Sequence, residues 1–265
     1  MKSARPVILI LAAALAAAVF SCSPSAGKNE LAEADREYSA GDYNRAERLY
    51  EDYIEDNPRG SQRWHAWNRL VDIAVGVEHD LEKAASLLEA MQLEFESDAD
   101  RKRLILERLA SIYEAMGRRE QALEMWTRVL TLVGPDSPEA AGIYLEIAEI
   151  HQLRGDYSLA RDTMSECLES SREPEREARC MYRLARYQSL LRNDVQARAW
   201  LEKIKDMEGV DAELRAQAVY MLAGIYAEQG RLEEARELLL SIKDDYPNPK
   251  AVEARLRHLD DMAFK

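Results

Sequence analysis

The sequence predicts an all-α chain built from six similar helix pairs, and three observations predict it. Ala46, Ala84, Ala122, Ala160, Ala197 and Ala235 follow one another at steps of 38, 38, 38, 37 and 38 residues. A second series stands twelve residues ahead of the first, at Ala34, Ala110, Ala148, Ala185 and Ala223, and only Asp72 breaks it. Beyond residue 27, prolines occur only at 58, 135, 138, 174, 247 and 249, each where one unit passes to the next. Loops tolerate insertions, so spacing this regular marks one supersecondary unit used repeatedly. No stretch sustains period-two alternation, and no strand is expected.

The units run approximately over 27–64, 65–102, 103–140, 141–177, 178–215 and 216–248. In each, one alanine falls on each helix at matched places, where a small residue lets two antiparallel backbones approach closely. Tyr50, Leu88, Trp126, Met164, Leu201 and Leu239, four residues after the second-helix alanines, fill the flanks. Overpacking such a contact costs about 1–3 kcal/mol, which accounts for the alanines without a functional role. The third unit shows the period most plainly: Leu106, Leu109, Ala110 and Tyr113 recur at helical spacing, as do Ala122, Trp126, Val129 and Leu130. Between the two helices of each pair a tight turn is predicted at Gly41, His79, Gly117, Gly155, Arg192 and Gly230, where glycine suits a left-handed helix cap. The second unit is irregular, because Asp72 stands at a close-packing place after Trp64 and Trp67. Either the helix has slipped by about one turn and leaves Asp72 exposed, or a buried acid marks a functional kink. A last helix over 249–263 closes the array, polar on its outer face through Lys250, Glu253, Arg257 and Asp261.

The N-terminus predicts the compartment. Lys2 and Arg5 precede 14 apolar residues, Val7 to Phe20. That run suits a signal-peptide core better than a bilayer span, which needs about 20 residues. Val19-Phe20-Ser21-Cys22 resembles the bacterial lipobox. The resemblance implies removal of residues 1–21, a lipid on Cys22, and a bacterial envelope location facing the periplasm; serine after the cysteine implies the outer membrane. Residues 22–27 would be the lipidated cysteine and a flexible tether, with the repeats over 28–265. An ordinary secretory signal with an incidental cysteine is the other reading.

Loss of residues 1–21 takes the formal charge from −13 to −15. An acidic chain without a basic tail argues against nucleic acid, whose binding rests on phosphate contacts to Lys and Arg. It argues equally against adsorption to anionic lipid beyond the anchor.

Gly155-Asp156-Tyr157-Ser158-Leu159-Ala160 and Gly41-Asp42-Tyr43-Asn44-Arg45-Ala46 resemble the inter-helix turn of the tetratricopeptide repeat, whose closing proline corresponds to Pro58 and Pro247. The period of 37–38 is about one helical turn longer than that family's usual 34. The resemblance implies a right-handed superhelical solenoid, with the first helix of each pair lining a concave groove that holds protein partners. The lysine–asparagine clamp of the family's chaperone-binding members is absent: Leu31/Asp35, Glu107/Ser111, Leu145/Glu149 and Tyr220/Gly224 occupy its places.

Signals for chemistry are thin. His65, His79, His151 and His258 are scattered without metal-ligand spacing, and neither a glycine-rich phosphate loop nor a nucleophile elbow is present. No cofactor, metal or catalytic residue is expected. His151 replaces a tyrosine within the first helix of unit four and reads as a satisfied interior histidine. Glu94, Glu96, Asp98 and Asp100 lack the glycine of a calcium loop and precede Arg101, Lys102 and Arg103, as in a solvated turn. Cys167 and Cys180 flank the turn near Glu173-Pro174 about equally, on adjacent antiparallel helices. They could form a disulfide in an oxidising compartment or serve as two small apolar packers.

Arg176, Arg179, Arg183 and Arg186, spaced 3, 4 and 3, share one helix face. In the family's register Arg179, Arg183 and Arg186 line the groove, with Tyr182 and Tyr220 beside them. Arginine next to tyrosine is the usual composition of a binding hot spot. Glu146 and Glu149 map to the same side and could neutralise the stripe instead. The expectation is a non-catalytic, lipid-anchored adaptor in an envelope assembly, similar in architecture to outer-membrane barrel-assembly lipoproteins and secretin pilotins. Its partner would be an envelope protein, engaged through an acidic segment or C-terminus. The alternative is a periplasmic ligand- or peptide-sensing module that regulates a cell-wall enzyme.

Overall fold

The computed structural model describes residues 24–263, which form thirteen helices and no strand. The signal segment and Cys22 lie outside the described residues. The chain divides into two compact units, one ending at His79 and the other beginning at Asp80. The first holds α1 (Pro24–Ala40), α2 (Tyr43–Asp56) and α3 (Arg63–Gly76). The second holds α4 (Leu81–Glu94), α5 (Ala99–Ala115), α6 (Arg119–Val133), α7 (Ala140–Leu153), α8 (Tyr157–Ser170), α9 (Pro174–Leu190), α10 (Asp194–Asp206), α11 (Ala212–Glu228), α12 (Leu232–Ser241) and α13 (Pro249–Ala263). Within each unit every helix packs on the next, and α9 also touches α7 and α11. No helix among the described residues is long and apolar enough to cross a membrane.

One expectation at the start needs correcting. The tether read over residues 22–27 is helical from Pro24 onward. Proline is well suited to a first helical position, since its fixed φ fits and its missing N–H would have no helical partner there.

The turns follow the repeat register position by position. Gly41, Gly117, Gly155 and Gly230 have φ between 71° and 85°, and His79 and Arg192 adopt the same left-handed region at 55° and 62°. A side chain there costs roughly 1–2 kcal/mol. Arg192→Gly is therefore expected to raise stability by about 1 kcal/mol in urea denaturation. His79→Gly should gain less, because the His79 ring also bonds the Val75 carbonyl at 3.2 Å. Several helices start on an aspartate whose side chain accepts from a backbone N–H three residues on: Asp42 from Arg45, Asp80 from Lys83, and Asp98 from Arg101. Each such cap contributes about 1 kcal/mol. Asp98, within the acidic stretch, is thus the start signal of α5.

Every alanine of both series is at most 1% exposed. Five of the six flank-filling residues are fully buried as well. Trp126 is the exception: it stays half-buried, and its indole N–H donates to the Glu114 carboxylate. A tryptophan carries a donor that must find a partner, which holds one edge of the ring at the surface.

In α3 the buried residues Ala66, Leu70, Val71, Ile73 and Ala74 match Ile105, Leu109, Ala110, Ile112 and Tyr113 of α5 at a constant offset. That offset is one residue longer than the alanine step, so α3 has shifted by one residue rather than by a turn. Val71 occupies the close-packing place, and Asp72 moves to a half-exposed position 4.0 Å from Arg69.

Candidate partner-binding groove

Helix α9 carries the arginine stripe. It begins with Pro174 in its first turn and Glu175 and Glu177 near its N-terminus, where acids complement the helix dipole. Ala178, Met181, Leu184 and Ala185 turn one face into the core and leave Arg179, Tyr182, Arg183 and Arg186 on another. Arg176 turns away from them, donating to the Pro138 carbonyl at 2.7 Å and pairing with Glu173 at 3.4 Å.

Two clefts adjoin this face. The first, of about 410 Å³, lies between α7, α9 and α11, with Leu145, Arg179, Arg183 and Leu214 in its walls. The second, of about 330 Å³, shares Tyr182, Arg186 and Gln217 with it and adds Tyr220, Gly224 and Arg255. The stripe is unevenly neutralised. Arg179 pairs with Glu175 at 3.0 Å, while Arg183 lies 4.0 Å from Glu149. Glu146 makes no ion pair with the stripe. Its carboxyl is held above the usual range by burial and by the charges of Glu114 and Glu149, with Arg183 opposing. Arg186 is half-buried, lines both clefts, and has no carboxylate on it among the described residues.

Tyr220 departs from its expected role as a free apolar contact. Its ring stacks on Tyr246 at 4.5 Å, and the Arg255 guanidinium sits over it at 4.6 Å. Arg255, on the last helix, also donates to the Tyr220 carbonyl at 3.3 Å. It reaches there because Gly224 has no side chain: a Cβ would stand 2.6 Å from a guanidinium nitrogen. Arg255 likewise has no carboxylate partner among the described residues, so the second cleft presents two half-buried guanidiniums. The only sequence signal for this contact is a glycine inside a helix. Gly224→Ala is expected to keep the fold, since alanine is the better helix former, while displacing Arg255 and weakening anion binding at the second cleft.

Cys167 and Cys180 form a disulfide between α8 and α9, with Cα atoms 5.9 Å apart and both residues buried. His151 is not a satisfied interior histidine. Its Nδ1 is buried with no hydrogen-bond partner among the described residues, and burial holds its pKa below the usual value, helped by Arg154. His65, one of the scattered histidines, contacts the Asp35 carboxylate at 2.7 Å, and Tyr50 donates to the same oxygen at 2.7 Å. Burial raises the Asp35 pKa, but the hydrogen bonds from His65 and Tyr50 and the nearby charges outweigh it, so the net shift is downward. Among the described residues no cluster of His, Cys, Asp or Glu could hold a metal ion.

Models of the tetratricopeptide repeat match residues 31–100, 101–173 and 217–249. The chain carries tetratricopeptide repeats. The matched stretches leave out 174–216, the pair α9 and α10 that bears the stripe. None of the curated proteins compared matches the chain. Among solved structures, the apo form of RapI has a TM-score of 0.68 at 14% identity, covering 91% of this chain and 71% of that one. BtubC from P. vanneervenii has 0.53 at 20% identity, covering 85% and 93%. PilF of Pseudomonas aeruginosa has 0.50 at 15% identity, covering 87% and 98%. At these identities the likeness to these structures is one of fold. The repeats make the chain a protein–protein interaction module.

Proposed function

We propose that the chain is a lipid-anchored adaptor of a bacterial envelope assembly, in outer-membrane biogenesis or in secretion or pilus machinery. It holds an acidic segment or C-terminus of a partner protein along Arg183 and Arg186, and it acts by binding rather than by reaction. Arg186 carries the reading. A half-buried guanidinium beside Tyr182, with no ion pair to a carboxylate among the described residues although Glu175, Asp211 and Glu213 line the same cleft, suits an anionic group of a partner. A guanidinium grips a carboxylate through two hydrogen bonds, and arginine and tyrosine dominate binding hot spots. The anchor rests on Val19-Phe20-Ser21-Cys22 after a short apolar run.

A photocrosslinker at Tyr182, which lines both clefts, tests this in intact cells. The expected result is one dominant envelope-protein adduct, mapped to an acidic segment and lost in Arg186→Glu. Cys22→Ala should remove lipid labelling and release the repeats from the membrane fraction. An adduct pattern indifferent to Arg186→Glu would return the arginines to a structural role.

A further inference from the structure

The repeat register exposes a vacancy on the opposite side of α9 from the stripe. At two junctions between neighbouring pairs, the residue three after the first-helix alanine is a tyrosine that bonds a glutamate five after the preceding pair's second-helix alanine. Tyr113 of α5 donates to Glu89 of α4 at 2.7 Å, and Tyr226 of α11 donates to Glu202 of α10 at 2.7 Å. At the same register α9 carries Gln188 and α8 carries Ser165. A ring and a carboxylate have been replaced by an amide and a hydroxyl, and a cavity of about 540 Å³ opens where they would stand. Leu184, Gln188, Trp200 and Ser165 wall it, with Lys203 alongside.

Gln188 makes the cavity more than a packing gap. The residue as a whole is 7% exposed, and its side-chain amide, which makes no hydrogen bond to the described residues, opens onto the cavity. An amide on a cavity wall can serve a ligand that both donates and accepts, and it loses its water when a ligand covers it. Lys203 has no carboxylate partner among the described residues and sits 6.0 Å from the Trp200 ring.

We propose that this cavity receives a tyrosine side chain from a protein partner, its hydroxyl bonding the Gln188 amide and its ring lying against Leu184 and Trp200. The size and polarity of the occupant are those of the tyrosine that the same register holds internally in α5 and α11. A phenylalanine would bring the same ring but leave the amide unpaired. Leu184 and Gln188 point away from Arg179, Arg183 and Arg186 around the helix, so this site is independent of the groove.

The test is an NMR titration of the full chain, labelled at glutamine and tryptophan, with the blocked tripeptide Gly-Tyr-Gly and its phenylalanine counterpart. The Gln188 amide and Trp200 indole signals should shift with the tyrosine peptide, and the phenylalanine peptide should bind roughly tenfold more weakly. The double variant Ser165→Glu/Gln188→Tyr rebuilds the internal pair, so it should melt no lower than the parent and lose the response. Gln188→Leu, which replaces the amide with an aliphatic side chain of comparable bulk, should abolish the preference for tyrosine, and Arg186→Glu should leave the response intact. Absence of any shift at about 10 mM peptide, or equal binding of the two peptides by the parent, would overturn the proposal.

Discussion

Arg186→Glu is expected to weaken capture of an acidic partner segment by roughly 2 kcal/mol or more, about thirtyfold in Kd, with helicity and melting temperature unchanged. The effect is large because a half-buried pair is lost and a like charge takes its place. The fold is spared because Arg186 neutralises no acid of its own chain among the described residues. Arg183→Glu should behave differently. That side chain lies 4.0 Å from Glu149 and relieves Glu146, so reversing it adds a fourth acid beside Glu114, Glu146 and Glu149. Its melting temperature should fall together with its affinity. Calorimetric titration with an acidic peptide, beside thermal melts, separates the two cases. Should Arg186→Glu melt early and bind normally, the stripe is structural.

Reduction of the Cys167–Cys180 disulfide should lower stability by about 3 kcal/mol, the loss of loop-closure restraint for a loop of this length. The same chain unfolded in urea with and without strong reductant measures it, and Cys167→Ser/Cys180→Ser should reproduce the reduced midpoint. Both sulfurs are buried, so reduction should require local opening of α8 from α9 and should be slow in native conditions. Coincident unfolding curves in the two conditions would show that the bridge contributes nothing.

Much of the architecture was legible in the residues because it rests on backbone geometry and volume. An alanine that keeps two helices close must recur once per unit, and a left-handed turn residue must fall where each pair reverses. Both are properties of position. They predicted the six turn sites, including His79 and Arg192, whose side chains give no hint of a left-handed backbone. Val71 shows where such reasoning falls short. A one-residue shift leaves the apolar pattern nearly intact, and only packing against α2 decides which of two adjacent residues enters the core.

The candidate site was legible as a face, not as an electrostatic balance. Spacing places Arg179, Arg183 and Arg186 together, since helical periodicity is local. Which carboxylate each arginine meets depends on side-chain reach across helices about 30–40 residues apart, and spacing does not encode that reach. Arg179 was neutralised by Glu175 on its own helix, and Arg186 by no carboxylate among the described residues. Tyr220 was claimed by Tyr246 and by Arg255 from the last helix, through the room left at Gly224. The vacancy at Gln188 belongs to the same class. The sequence alone determined the repeat, its turns and the stripe, because these follow from periodicity and residue volume. Only the tertiary structure decided which charges are paired, which ring is free and where a cavity opens, because those depend on contacts between distant helices.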